Sequence, residues 1–240
     1  MVETLVVIDI IRFLVGFCIL LYASYTDINT RKAANILWWI MGGIGAILLL
    51  VQFFTPEGFG GQIYYLIFIP IMFGFMYLVF LMPVNFGGAD VKAIWALSIL
   101  VPFTPFLFDY PLYPSAMPFV WYIFTNALLL NLSVPITLLI YNIIKKDIKF
   151  PFCILGYKTP IENAKEKFLW PLEKIVDGKP KIFLLNHSFE PSDEFEELEK
   201  HGYKKIWVTP WVPFIITLLA GYITAFIFGD ILTFIIQLFI

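Results

Sequence analysis

Two carboxylates, Asp27 and Asp90, stand where an ionisable side chain is expensive. Each borders a long apolar run, and an acid in or beside a membrane span is a functional candidate by default. Asp27 closes the first run and Asp90 opens the fourth. If the runs cross a bilayer in alternation, the two acids lie at one face and one depth. Paired carboxylates do specific chemistry. Close together they cannot both ionise cheaply, so they share one proton. The ionised member takes a proton from water, which attacks a peptide carbonyl; the protonated member polarises that carbonyl and then helps the amine leave. The residues before Asp90, Gly87-Gly88-Ala89, are small enough for a peptide backbone to come close. Plainer roles stay open at this level. Asp90 suits a helix N-cap, the glycine pair suits any loop, and Asp27 beside Arg31 and Lys32 suits an interface charge.

The elements that must hold these acids follow from the distribution of charge. The chain has 240 residues, 60% hydrophobic and 14% charged, with a net charge of −2. A soluble domain carries about 25% charged residues, so composition excludes a soluble enzyme and a disordered chain. The absence of a basic excess excludes a nucleic-acid partner. Of the charged residues, 12 basic and 11 acidic side chains fall within 144–208, and only 11 fall in all the rest. A helix needs about 20 apolar residues to cross a bilayer, and backbone in lipid must satisfy its own hydrogen bonds. Six spans result: 4–26, 34–54, 62–82, 90–108, 118–143 and 209–232. Pro102 and Pro105 threaten the fourth with a kink or an early end. The start lacks the basic region of a cleaved signal peptide and reads as an uncleaved first span.

The expected fold is therefore an all-α integral membrane bundle of six transmembrane helices, with a small cytoplasmic α+β domain between helices 5 and 6. Its parts are 1–143 (helices 1–5 with the acids), 144–208 (the cytoplasmic domain) and 209–240 (helix 6). Alternation puts Arg31, Lys32, Lys92 and all 12 basic residues of 144–208 on one side, leaving Arg12 as the exception. The positive-inside rule makes that side cytoplasmic, so both termini face outward in a plasma-membrane protein. Within 144–208, Lys181–Asn186 and Tyr203–Val208 read as strands. Pro191–His201 reads as a helix with a Glu196–Lys200 pair and a stop at Gly202.

The motifs add a resemblance. Tyr25-Thr26-Asp27-Ile28-Asn29-Thr30-Arg31-Lys32-Ala33-Ala34-Asn35 resembles the first-aspartate region of type IV prepilin peptidases. Gly87-Gly88-Ala89-Asp90-Val91-Lys92 is similar to their second motif, G-x-G-D-x-K, which defines GxGD membrane aspartyl proteases. Span plan and length resemble the archaeal, preflagellin-processing branch. Ala89 departs from the motif glycine but stays small. The cysteine-rich zinc-binding loop of many bacterial members has no counterpart, since Cys18 and Cys153 cannot build it. The resemblance implies Asp27 and Asp90 as the catalytic pair, no cofactor and protease activity alone. It also implies preflagellin or pilin-like precursor proteins as partners, cut at the cytoplasmic face between a basic signal peptide and a hydrophobic helix.

Other charged residues have secondary readings. Lys92 is an interface lysine, or it tunes Asp90 or binds substrate. Glu190, Asp193, Glu194, Glu196, Glu197 and Glu199 form an acidic run that would steer a basic signal peptide, or a solvated helix face balanced by local lysines. Asp9 and Arg12, three apart, pair near the outer surface. Asp230 lies near the outer face, away from the other acids. His187 and His201 lack the companions a metal site needs, Asn186-His187-Ser188 is a glycosylation pattern on the wrong side, and Cys18 is expected inside the bundle. The alternative to a protease is a proton- or ion-coupled transporter, for which the repeat symmetry of many carriers is missing; a non-catalytic scaffold is the third reading.

Overall fold

A computed structural model describes residues 2–82, 87–105, 107, 110–165, 169–176, 179–182, 191–210 and 212–239. In chain order the elements are α1 (Val2–Thr30), α2 (Asn35–Phe53), a 3-10 helix (Gly60–Ile67) running into α3 (Phe68–Leu81), α4 (Gly88–Leu100), α5 (Phe119–Asn131) and α6 (Ser133–Lys145). Then come α7 (Phe152–Leu155), β1 (Tyr157–Pro160), α8 (Ile161–Lys165), β2 (Leu169–Pro171), β3 (Glu173–Val176), β4 (Lys179–Ile182), α9 (Pro191–Lys200), β5 (Lys205–Pro210), α10 (Phe214–Ile227) and α11 (Ile231–Gln237). Four helical stretches are long and apolar enough to cross a membrane: Thr4–Thr30, Asn35–Phe53, Gly60–Leu81 and Phe119–Lys145. The protein is thus a multi-pass, helical membrane bundle with a small β-containing region. The chain divides into two compact units, residues 1–131 with 213–240, and residues 132–212.

In the first unit, missing side chains let helices meet backbone to backbone. A Cβ on Gly45 of α2 would lie 2.7 Å from Leu100 Cα of α4, and one on Gly221 of α10 would lie 2.6 Å from the Ile123 carbonyl of α5. Gly16 of α1 leaves room for the Tyr222 ring, whose hydroxyl donates to the Arg12 carbonyl at 2.8 Å. Arg12 and Asp9 pair as the sequence leads one to expect, at 3.0 Å, and both are buried. Gln52 of α2 completes the site by accepting from Arg12 Nη2 at 2.9 Å.

Several expected spans are broken or shortened, each for a local reason. α4 stops at Leu100 because Pro102 cannot continue a helix. The non-helical residues 101–105 that follow are all buried, a setting that would suit irregular backbone in a membrane bundle. The third span begins as a 3-10 helix, and Pro70 sits at the third position of α3. Pro135 sits likewise at the third position of α6, where the fifth span breaks at Leu132. The sixth becomes α10 and α11, separated by Gly229 at φ +86°. Asp230 caps α11 and is buried: its carboxylate accepts from Thr233 N, Thr233 Oγ1 (2.6 Å) and Ser115 Oγ (2.9 Å). Fully buried Asn126 of α5 spans the same break, donating to the Gly229 carbonyl at 2.8 Å and accepting from Ile231 N. Cys18 is exposed on α1, not inside the bundle as expected.

In the second unit, a three-stranded antiparallel sheet has the order β1-β5-β2, with Thr159 opposite Ile206 and Trp170 opposite Thr209; β3 and β4 form a separate antiparallel pair. Ile161, Leu169, Ile175, Phe195, Leu198, Ile206 and Val208 form its core. Asn142 of α6 is buried and donates to the carbonyls of Cys153 and Gly156, tying the helix to the turn before β1. The strand expected at Tyr203–Val208 starts two residues later. Of Lys181–Asn186 only the first two residues are described, as the end of β4. The helix expected at Pro191–His201 is α9, stopped by Gly202 at φ +83°.

Asn126→Leu keeps the branch at Cγ, adds some bulk, and strands the Gly229 carbonyl and the Ile231 amide. An unsatisfied buried polar group costs about 1–3 kcal/mol, so the thermal unfolding midpoint in detergent should fall by several degrees. An unchanged midpoint would refute this role.

Candidate functional site

α1 does not end at Asp27 but runs to Thr30, and Arg31 leaves it in the left-handed region at φ +55°. The Arg31 amide donates to the Asp27 carbonyl at 3.0 Å, closing the last turn. Only residues 31–34 separate α1 from α2, so Asp27 and Asn35 lie at one end of the unit. α4 begins at that same end, because Lys92 Nζ donates to Asn35 Oδ1 at 2.9 Å. With Gly45 against Leu100 farther along, α2 and α4 run parallel. The expectation that a helix end and a helix start bring the two acids to a common level matches this geometry.

Asp90 occupies the third position of α4, not the N-cap, which is Gly87. Its Oδ2 accepts from the Gly87 amide at 3.1 Å, as an acid at that position does when it reaches back to satisfy an orphan amide. That bond holds the carboxyl against the Gly87-Gly88-Ala89 turn and leaves Oδ1 without a hydrogen bond among the described residues. A Cβ on Gly87 would lie 3.0 Å from Asp90 Oδ2, so the bare glycine makes room for the acid. The Asp27 carboxylate accepts no hydrogen bond among the described residues. Both acids are half-buried, and each is within Coulombic range of the other. Arg31 is in the same range of Asp27. Two acids with uncommitted oxygens thus stand at one end of this helical unit.

The acidic run is partly engaged elsewhere. Glu194 is buried and bonded to Lys174 at 2.7 Å; Glu199 accepts from Lys165 at 2.6 Å; Glu196 stands 3.9 Å from Lys200. The Glu199 carboxylate holds the Lys165 amine above its ordinary range. Asp193 is exposed and Glu197 half-buried. Glu190, His187 and the 186–188 pattern lie outside the described residues. His201 Nδ1 stands 2.9 Å from the Glu197 carbonyl. Among the described residues no three His, Cys, Asp or Glu side chains cluster as a metal site would.

Sequence reasoning missed a groove beside Lys92. It has a volume of about 480 Å³ between α2, α3 and α4. The residues that form it, Trp38-Trp39 and Gly42-Gly43 on α2, are visible in the sequence, but tryptophans and glycines are ordinary in an apolar span.

A membrane bundle carrying two acids at the adjoining ends of α1 and α4 defines a class, and comparison with known proteins gives that class relatives. Residues 148–231 match the family described as Archaeal Peptidase A24 C-terminus Type II. Over 234 residues the chain is 27% identical to the preflagellin peptidase of Methanococcus voltae, covering 92% of this chain and 96% of that one. It is 28% identical to the preflagellin peptidase of Methanocaldococcus jannaschii (92% and 94% covered) and 27% to that of Methanococcus maripaludis (92% and 96%). The chain is thus similar to archaeal preflagellin peptidases over nearly the whole length of both.

Lys174→Met removes the partner of buried Glu194. Leaving that carboxylate unpaired should destabilise α9 by about 1–3 kcal/mol. Faster amide hydrogen exchange across residues 193–200 is the expected readout, and unchanged exchange would show the pair to be dispensable.

Proposed function

We propose that this chain is an aspartyl endopeptidase that removes basic signal peptides from preflagellins and pilin-like precursors at the cytoplasmic membrane face. Asp27 and Asp90 are its catalytic pair. The observation that carries the reading is their convergence at one end of the first unit, each with an oxygen to spare. Similarity to preflagellin peptidases along nearly the whole chain supports the same chemistry. One acid, ionised, takes a proton from water as the water oxygen bonds to the scissile carbonyl carbon. The other, protonated, donates a hydrogen bond to the carbonyl oxygen. Collapse of the tetrahedral intermediate breaks the C–N bond, and the amine leaves with a proton from the pair. Gly87, Gly88 and Ala89 leave the space a peptide backbone needs, and Lys92 stands two residues from Asp90 to meet substrate.

In this reading the chain crosses the membrane six times, with both termini outside and residues 144–208 in the cytoplasm. α4 has 13 residues, about 20 Å of helix. The buried segment 101–105 continues its crossing.

The test is cleavage of a precursor with a basic signal peptide, in proteoliposomes. Asp27→Asn and Asp90→Asn should each lower kcat/KM by on the order of 10²–10⁴-fold, the range for loss of a positioned proton-transfer group. In Asp90→Asn the new side-chain amide oxygen can still accept from Gly87, so this variant should keep the wild-type unfolding midpoint; catalysis and capping separate. Full activity in either variant overturns the pair. Wild-type kcat/KM should follow a bell in pH whose two limbs belong to the pair jointly, and chelator should not change it.

The acidic run would act earlier, on encounter. Reversing Asp193, Glu196 and Glu197 to Lys should lower kcat/KM several-fold at 10 mM salt and hardly at 500 mM, as the Debye length shrinks from about 30 Å toward 4 Å. A deficit that ignores salt would reject steering.

A further inference from the structure

The exposed apolar surface of the second unit is unevenly spread. It covers α6 and continues past the helix end, where Ile144 is 73%, Ile148 66% and Phe150 78% exposed. There it stops. Phe152 and Cys153 are buried, and none of the large apolar side chains described between 153 and 210 is exposed. Lys145, Lys146 and Lys149 are exposed among these apolar side chains, and they are the first basic residues after Lys92. They stand where the apolar stretch Phe119–Lys145 ends. Its 27 residues are enough to cross the hydrocarbon core, which takes about 20. Its lysine-bearing end therefore emerges among the headgroups.

The loop that carries these residues is fixed at both ends. Lys146 turns the chain in the left-handed region at φ +60°. Its amide donates to the Ile143 carbonyl at 3.1 Å, and the Asp147 amide donates to the Asn142 carbonyl at 3.0 Å, the pair of bonds that stops a helix sharply. The Asn142 side chain holds the returning chain through the carbonyls of Cys153 and Gly156. One buried residue thus clamps the loop, and residues 143–150 stand out from it. Two of the lysines are placed by aromatic faces. Lys145 Nζ lies 5.8 Å from the centre of the Tyr141 ring, and Lys149 Nζ lies 4.9 Å from that of Phe152, which packs on Trp207. Such a contact orients an ammonium without cancelling its charge. None of the three lysines has a carboxylate within ion-pair distance among the described residues. Half-buried Asp147 is the one acid of the loop, so residues 145–149 keep a surplus of two positive charges. A partner for this surface must be apolar below and anionic above. Water suits the lysines but not Ile148 and Phe150, and an acidic protein surface suits the lysines alone. Zwitterionic lipid covers the apolar side chains and brings no net charge. An anionic phospholipid supplies both.

We propose that residues 143–150 form a binding surface for anionic phospholipid headgroups, with Lys145, Lys146 and Lys149 on the phosphates and Ile144, Ile148 and Phe150 in the acyl boundary beneath them. Two observations choose the bilayer as occupant: the apolar exposure runs unbroken from α6 into the loop, and the uncompensated charge begins where the membrane-crossing stretch ends. The surface holds the loop that leads into β1 at headgroup depth. It is independent of the peptidase reading above.

The test uses the full chain in nanodiscs of phosphatidylcholine containing about 30% phosphatidylglycerol, with a trace of a diazirine-bearing analogue of one lipid or the other. Mapped by mass spectrometry, adducts on residues 143–150 should be at least fivefold more abundant with the phosphatidylglycerol analogue. In 500 mM salt that preference should fall below twofold, because surface charges are then screened. The triple variant K145Q/K146N/K149Q, in which Asn suits the left-handed position, should abolish the preference, whereas K145R/K149R should keep it. Phe150→Ser should lower the adducts of both lipids at least threefold and leave their ratio unchanged, since it removes apolar contact alone. An unfolding midpoint equal to wild type in pure phosphatidylcholine would show that the triple variant lost charge and not the loop. If that variant unfolds, the wild-type ratio and its salt dependence still decide. Equal adducts from the two lipids in wild type mean bilayer contact without headgroup selection, and overturn the proposal. So does an absence of lipid adducts at 143–150, which would mean that a second copy or an acidic protein covers the surface. None of these readouts involves cleavage, so failure here leaves the peptidase reading untouched, and the reverse.

Discussion

α2 and α4 lie side by side because Gly45 has no side chain. Any larger residue would drive its Cβ into the backbone of Leu100, and the two helices would have to part. Much follows from that contact. Held together there and at Ala96, the helices bring Asn35 within hydrogen-bonding distance of Lys92 and set the start of α4 level with the end of α1. Asp90 owes its place near Asp27 to a contact about ten residues away along its own helix. In a bilayer, where lipid tails are as apolar as Leu, burial gives helices little reason to associate, and close backbone packing takes over. The same logic recurs at Gly221 against α5 and at Gly16 beneath Tyr222.

That rigidity bears on the chemistry. A carboxyl pair does useful proton transfer only while its oxygens stay within about 3 Å of the water they share. Asp90 is held by two constraints of different kind: the parallel packing of its helix, and the bond from its own Oδ2 to the Gly87 amide. Asp27 is held by the helix alone, near the end of α1, with a left-handed residue four positions on. The two acids are therefore unequally fixed, Asp27 and the last turn of α1 being the less constrained.

How much of this could be read in the sequence depends on range. The first two spans and the common level of Asp27 and Asp90 follow from runs of apolar residues and from alternation, which are one-dimensional properties. The Asp9–Arg12 pair was legible because three residues bring side chains to one helix face, but Gln52 was not, since it comes from another helix. Helix breaks at Pro70 and Pro135 have plain local causes, yet a window of apolar residues long enough to cross a bilayer conceals them. Asp230 looked like a stray acid; its role as a cap depends on Ser115, distant in sequence. The groove was the least visible of all. Its glycines and tryptophans are ordinary in a membrane helix. The family resemblance rests on motif residues that three dimensions bring together.

Arg12 has a consequence for how the chain enters the membrane. A lone guanidinium within an apolar span resists insertion, but Asp9 lies one turn away on the same helix and neutralises it locally. The first helix can therefore partition into lipid carrying its own counterion, before any neighbour has been made. Gln52 can join only when α2 arrives, and Tyr222, which bonds the Arg12 carbonyl, only when the last span does. The order of synthesis is thus written into one cluster of hydrogen bonds: the partner whose absence would be most costly is present from the beginning, and the neutral partners are left for later.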